Sequence, residues 1–296
     1  MAPKRSSPHW SDGNTVPVLT LVAIILAVWY LACIPMNAIV ASTKLGVPDA
    51  SLSERLTVTW SLDRAVLPAP HQIAVELWNS IVLAKPWTPR SLLFHGGVTL
   101  ASTLVGFLMG AVLGIVLAIA IVHVRSLNKS LMPWIVASQT IPILAIAPMV
   151  IVVLGSIGFT GLVPKSIIST YLCFFPVTIG MVKGLTSPEV MQLDLMRTYN
   201  ASRAQVFTKL RWPAALPFLF ASLKVAIAIA LVGAIVGELP TGAQAGIGAR
   251  LLNGSYYGQT TQIWAALVAA SVMAASLVAL VGLIERVALR RMGGRP

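Results

Sequence analysis

The stretch SPEVMQLDLMRTYNASRAQVFTKLRWPAALP, Ser187 to Pro217, decides how the chain is read. It carries Glu189, Asp194, Arg197, Arg203, Lys209 and Arg211, whereas the segments on either side are almost free of charge. Charge at this density is incompatible with hydrocarbon, so the stretch emerges into water. It still carries helix signals. Ser187, Pro188 and Glu189 offer an N-cap oxygen, a proline at the first helical position and a carboxylate near the positive end of the dipole. That helix is expected to run to Tyr199, and Asn200 stands where a left-handed residue ends a helix. Ser202 with Gln205 makes a capping box for a second helix, which Pro213 and Pro217 are expected to break or kink. A short helix, a tight turn and another short helix at one membrane face can dock into a groove on a soluble partner and transmit force.

Working outward, the flanking segments are membrane spans. Of 296 residues, 57% are hydrophobic and 10% charged, against about 25% charged in soluble domains, and the mean hydropathy is +0.85. The net charge of +12 would suit nucleic acid, but basic residues also collect on the cytoplasmic side of membrane spans, and the spans make that the better account; no nucleic-acid partner is expected. Cys33 and Cys173 both lie in apolar runs and read as small buried hydrophobes.

The rest of the chain separates into tails, spans and loops. Residues 1–15 form a polar tail and 16–41 a first transmembrane helix, too long for the apolar core of a signal peptide. Residues 42–90 have nearly balanced charge and read as an external loop, with Ile73, Ala74, Leu77, Trp78, Ile81 and Val82 at the spacing of an interfacial helix. Spans come next at 91–122, where Gly106, Gly110 and Gly114 mark a packing face, and at 131–154, kinked by Pro133, Pro142 and Pro148 either as a gate beside a cavity or simply for packing. A short external turn holds Lys165, and 166–182 is the fourth span, with Phe174, Phe175 and Pro176. The fifth, 214–239, has Lys224 placed to snorkel inward and Glu238 at its far end, either lining a cavity or hydrated at the boundary. Residues 240–262, rich in glycine, lie outside or partly re-enter; 263–284 is the sixth span, and 286–296 a basic tail. With both ends inside, fourteen Lys and Arg fall on the cytoplasmic side and seven on the other, which places Ser187–Pro217 in the cytoplasm. The expected architecture is all-α, polytopic, with about six transmembrane helices.

Chemistry for catalysis is missing from this pattern. The chain has no GxxxxGK[ST] phosphate loop, no HExxH and no GxSxG, and His9, His71, His95 and His123 have no metal-ligand spacing. No catalytic or metal site is therefore expected. A polytopic enzyme would need clustered acids or histidines at one face, and Glu238 stands almost alone. An ion-coupled carrier would favour inverted repeats and intramembrane charges.

The order TLxxxxxGF from Thr99, IPxxAxxP from Ile141, FFPxxxG from Phe174, the charged loop, and a Glu closing the fifth span resembles the permease subunits of binding-protein-dependent ABC importers, in the branch serving nitrate, sulfonate, taurine and pyrimidine precursors. The type I importer permease domain would occupy 91–285. Within its cytoplasmic coupling loop, 187–217, Asp194 takes the acidic slot and Asn200 the glycine slot. Ala201, Ser202, Arg203 and Phe207 come after it, and Leu216 with Pro217 closes the loop. The resemblance implies a multi-pass protein of the bacterial inner membrane, a second permease subunit, membrane lipid, cytoplasmic ATPase subunits and an external solute-binding protein. It implies no cofactor bound by this chain, ATP and Mg being used by the partner ATPase. Gln139, Pro142, Pro148, Phe174, Phe175 and Glu238 are the candidates for the translocation pathway and gate. ELPTGAQAG and GSYYGQ suggest a small nitrogenous ring compound as solute over an inorganic anion.

Overall fold

A computed structural model describes residues 15–45, 52–62, 64–240 and 245–292. Residues 1–14 of the expected N-terminal tail, residues 46–51 and 63 of the external loop, 241–244 and the last four residues lie outside these, and Thr15, expected in the tail, begins α1. The described residues form helices α1 (Thr15–Leu45), α2 (Leu52–Trp60), α3 (Pro70–Trp78), α4 (Leu92–His123), α5 (Arg125–Ser138), α6 (Ile143–Ser156), α7 (Leu162–Leu185), α8 (Val190–Thr198), α9 (Arg203–Val206), α10 (Trp212–Glu238), α11 (Ile247–Tyr256) and α12 (Thr260–Arg291). Among the described residues five continuous helical runs are long and apolar enough to cross a membrane, and a sixth span results if the bent pair α5–α6 counts as one.

The chain divides into two compact units, Met1–Leu83 with Asn253–Ala265, and Ala84–Leu252 with Ala266–Pro296. In the larger unit α7 packs against both α4 and α10. Close approach needs small residues, because lipid offers helices no hydrophobic reason to associate. A Cβ on Gly106 would stand 2.7 Å from the Ser166 carbonyl oxygen, and one on Gly233 would stand 2.8 Å from Ser169 Cα. The same faces are tied by hydroxyls: Ser169 donates to the Ala230 carbonyl at 2.9 Å and Thr170 to that of Gly106 at 3.1 Å. Lys224 forms an ion pair with Glu285 of α12.

The segment 131–154, expected as one kinked span, is two helices, α5 and α6, meeting at 98°. Pro142 causes the break. It has no N–H for the Ser138 carbonyl and holds the residue before it out of the helical region. Ser138 is satisfied from another helix, by the hydroxyl of Tyr171 on α7.

In the smaller unit the chain leaves α2 and runs back along α1. Leu62 and Ala65 pack on Ala41. Asn37, fully buried, donates to the Leu67 carbonyl at 2.8 Å and accepts the Leu67 N–H at 3.1 Å. Trp29 Nε1 donates to the Pro68 carbonyl at 3.1 Å, and Tyr30 Oη meets His71 Nδ1 at 3.1 Å. Gln72 donates to the Leu62 carbonyl and accepts the Ala69 N–H, both at 3.0 Å, and Thr260 donates to the carbonyl of Ala65. After α3 a π-helical turn continues to Leu83.

Candidate functional site: the charged loop and a buried carboxylate

The loop 187–217 is built from local signals. Its first helix begins two residues later than Ser187 suggests. The Ser187 hydroxyl is used to finish α7, donating to the Gly184 carbonyl at 2.8 Å. Glu189 is the extended N-cap, and its N–H is satisfied by the Gln192 side chain at 3.1 Å. At the other end Asn200 has φ +53°, as its place at C′ required. The N–H of Asn200 donates to the Arg197 carbonyl at 2.8 Å and that of Ala201 to Met196 at 2.9 Å, the paired bonds of a Schellman turn. Ser202 then opens α9 with the expected capping box: its N–H reaches Gln205 Oε1 at 2.8 Å and its Oγ accepts the Gln205 N–H at 3.3 Å.

Neither Pro213 nor Pro217 breaks the second helix. Arg203 to Glu238 is one helical run. A π-helical turn at Phe207–Arg211, in which the Trp212 N–H donates to the Phe207 carbonyl, runs directly into Pro213, and the proline is taken up within the continuous helix beside that turn. Phe207 holds the loop against the rest of the unit, meeting the His123 ring at the end of α4 with centroids 5.3 Å apart and that of Trp212 at 5.9 Å. Leu216 is half-buried beside it and Pro217 exposed. Asp194 and Arg197 pair with each other at 2.9 Å in the open, while Ser202 and Arg203 are exposed. Sequence reasoning passed over the outward apolar stripe of this loop. Met191, Leu195 and Tyr199, at i, i+4 and i+8, are 80%, 56% and 78% exposed. Their spacing was legible, but only the structure shows which face is bare.

Of the six pathway candidates, Gln139, Pro142 and Pro148 are exposed at and beyond the α5–α6 break. Phe174 and Phe175 are half-buried on α7, where Phe174 lies beside Tyr171, with ring centroids 6.2 Å apart. Glu238 stands in a different environment. It is fully buried rather than open at the boundary. Thr99 of α4 donates its hydroxyl to the carboxylate, 2.9 and 3.0 Å from the two oxygens. The N–H of Gly248 donates to Oε2 at 2.9 Å, and Lys165 Nζ lies 3.6 Å from Oε1. Lys165, expected in an external turn, is thus enclosed in the first turn of α7, where it also donates to the Ala245 carbonyl at 3.0 Å. A buried carboxylate is tolerated only when paired and hydrogen-bonded in this way.

The same node captures three successive amides at the start of α11. Gly246 N–H donates to His95 Nδ1 at 3.0 Å, Ile247 N–H to Thr99 Oγ1 at 2.8 Å, and Gly248 N–H to Glu238. These are orphan donors of a helix N-terminus, and a carboxylate there also meets the positive end of the dipole. Because His95 Nδ1 accepts a bond, its proton is on Nε2, which donates to the Pro89 carbonyl at 2.9 Å. Gly246 has φ +126°, and a Cβ there would overlap the Glu238 carboxyl group.

Comparison with known proteins places this architecture. The sequence profile of the family described as binding-protein-dependent transport system inner membrane component matches residues 110–294. The riboflavin transport system permease protein RibX of Chloroflexus aurantiacus is 34% identical over 225 residues, covering 76% of this chain and 80% of that one. The formylaminopyrimidine transport permease protein ThiX of Halalkalibacterium halodurans is 30% identical, covering 65% and 75%. In fold, the chain is similar to an inward-facing MetNI methionine ABC transporter structure, with a TM-score of 0.51 and 19% identity over 73% of this chain and 96% of that one. The chain belongs to the family of binding-protein-dependent transport system inner membrane components, the multi-pass permease subunits of ABC importers.

Proposed function

We propose that this permease forms the translocation pathway for a small nitrogen-containing ring compound and is driven through Ser187–Pro217 by a separate ATPase. The observation that carries the coupling half is the bare apolar stripe Met191, Leu195, Tyr199 on a helix fixed at both ends by caps. Three exposed apolar side chains at helical spacing make a knob that gains by burial in a partner's groove. A rigid Schellman turn lets a push on α8 reach α9 and α10 without being absorbed. ATP and Mg are then used by the partner, and a second permease copy completes the pathway. The exposed Gln139, Pro142 and Pro148, with Phe174 and Phe175, line that pathway at the helix break, whereas Glu238 has spent its hydrogen-bonding capacity on fastening α11 and acts by positioning. Closure of the ATPases on ATP opens the pathway outward and hydrolysis resets it.

The solute class rests on the names of relatives, since RibX and ThiX are described as riboflavin and formylaminopyrimidine permeases, in agreement with the glycine- and tyrosine-rich outer segment. Two experiments test the two halves. Crosslinking from Arg203→Cys in membranes should trap a nucleotide-hydrolysing subunit; trapping none contradicts the coupling role. The solute-binding protein that stimulates this transporter should bind a nitrogenous heterocycle; tight binding of a sulfonate or nitrate alone contradicts the solute class.

A further inference from the structure

We propose that residues 65–83 are a re-entrant element that descends into the bilayer alongside α1 and presents Val75, Trp78 and Val82 to lipid hydrocarbon. The first support is depth. Leu62, Ala65, Leu67, Pro68 and His71 track α1 from Ala41 through Asn37 to Trp29 and Tyr30. Tyr30 is eleven residues before Ala41, about 16 Å at 1.5 Å per residue, and half of a bilayer's apolar core is about 15 Å. Trp29 and Tyr30 also stand near the centre of the apolar run 16–41. A chain docked there lies near mid-membrane if α1 spans.

The second support is the treatment of the backbone. Irregular backbone survives at membrane depth only where its polar groups are satisfied by protein. Five such groups in this segment are satisfied by side chains, the carbonyls of Ala65, Leu67 and Pro68 and the N–H groups of Leu67 and Ala69, as is the Leu62 carbonyl just before it. Pro68 and Pro70 remove two further donors. A loop in water needs none of this.

The third support is an inverted amphipathic helix. Gln72, Glu76 and Ser80 lie at i, i+4 and i+8, and Ser80, 4% exposed, donates to Glu76 at 2.9 Å, while Gln72 bonds backbone. Val75, Trp78 and Val82 on the other side are 58%, 60% and 53% exposed. Ile73 is buried with the polar inner row, and the outward side carries His71 and Asn79 among its apolar residues; a polar row drawn inward beneath a mainly apolar outer face is the arrangement expected against lipid, and this face belongs to the same unit as the exposed apolar surface of α1. From Ala65 to Ala84 the only acid or base besides His71 is Glu76. The fourteen helical residues Pro70–Leu83 span about 21 Å, enough to return from mid-membrane to the surface. There Lys85, Trp87 and Arg90 are residues that anchor at an interface.

The test is collision accessibility in the assembled transporter in liposomes, with nitroxide labels on Val75→Cys and Val82→Cys and on Arg64→Cys as the water-facing reference. At 75 and 82, oxygen should collide freely and a water-soluble nickel chelate should lose access. Nickel access equal to that at 64 would overturn the proposal in favour of a water-facing loop, and exclusion of both reagents would overturn it in favour of a protein-covered face. Hydrogen exchange of the unmodified transporter in nanodiscs is independent of labelling: peptides covering 65–83 should exchange slowly, and exchange as rapid as an open loop contradicts re-entry.

Discussion

Glu238 and Gly248 lie ten residues apart in sequence and are joined by a 2.9 Å hydrogen bond from the glycine N–H to the carboxylate. That bond closes the connection between α10 and α11, and the same carboxylate gathers Thr99 and Lys165 from α4 and α7. Glu238→Ala leaves a buried lysine without its acid and an uncapped helix start. Breaking a buried pair from one side costs about 3–5 kcal/mol, so the purified transporter should unfold at a clearly lower temperature. Glu238→Gln keeps the shape and an acceptor oxygen and should lose less. Equal unfolding temperatures for wild type and Glu238→Ala would show that the node fastens nothing.

The glycines divide by what surrounds them. On Gly248 a Cβ would overlap the Ile235 carbonyl oxygen, a backbone atom that cannot swing away, whereas on Gly96 and Gly97 of α4 it would meet nothing within 4 Å. Gly248→Ala should therefore destabilise by about 1–3 kcal/mol through overpacking. Gly96→Ala and Gly97→Ala should stabilise by up to about 1 kcal/mol, the helix propensity gained. Unfolding midpoints of the three variants read both signs.

Tyr171→Phe isolates the bond that satisfies the carbonyl orphaned by Pro142. The loss leaves Ser138 without this partner at the 98° corner, at a cost of about 1–3 kcal/mol for an unsatisfied group. Pulsed distance measurements between labels on α5 and α6 should also broaden. Unchanged stability together with an unchanged distance distribution would assign the corner to Pro142 alone.

Local chemistry made much of this legible. The spans follow from runs of apolar residues, the left-handed turn from Asn200, and the α9 start from Ser202 with Gln205, because each signal and its consequence lie within a few residues. The misplacements have equally local causes. Ser187 was spent on the carbonyl behind it, and Pro213 fell directly after a π-helical turn inside a continuous helix. The node was not legible, because Glu238 and Thr99 are separated by 139 residues, and a lone acid in sequence does not announce a hydroxyl, a lysine and two glycines around it. The same holds for Tyr171, whose partner is a backbone carbonyl on another helix.

The central claim, that Ser187–Pro217 is where a nucleotide cycle moves this subunit, is tested most directly at Asn200. Its φ of +53° and its N–H bond to Arg197 are both forbidden to proline and both available to glycine. Solute-stimulated ATP hydrolysis should be measured in the reconstituted transporter carrying Asn200→Pro or Asn200→Gly, with membrane insertion monitored in parallel. Stimulation is expected to vanish with proline and persist with glycine while both insert normally; full stimulation with proline would contradict the account.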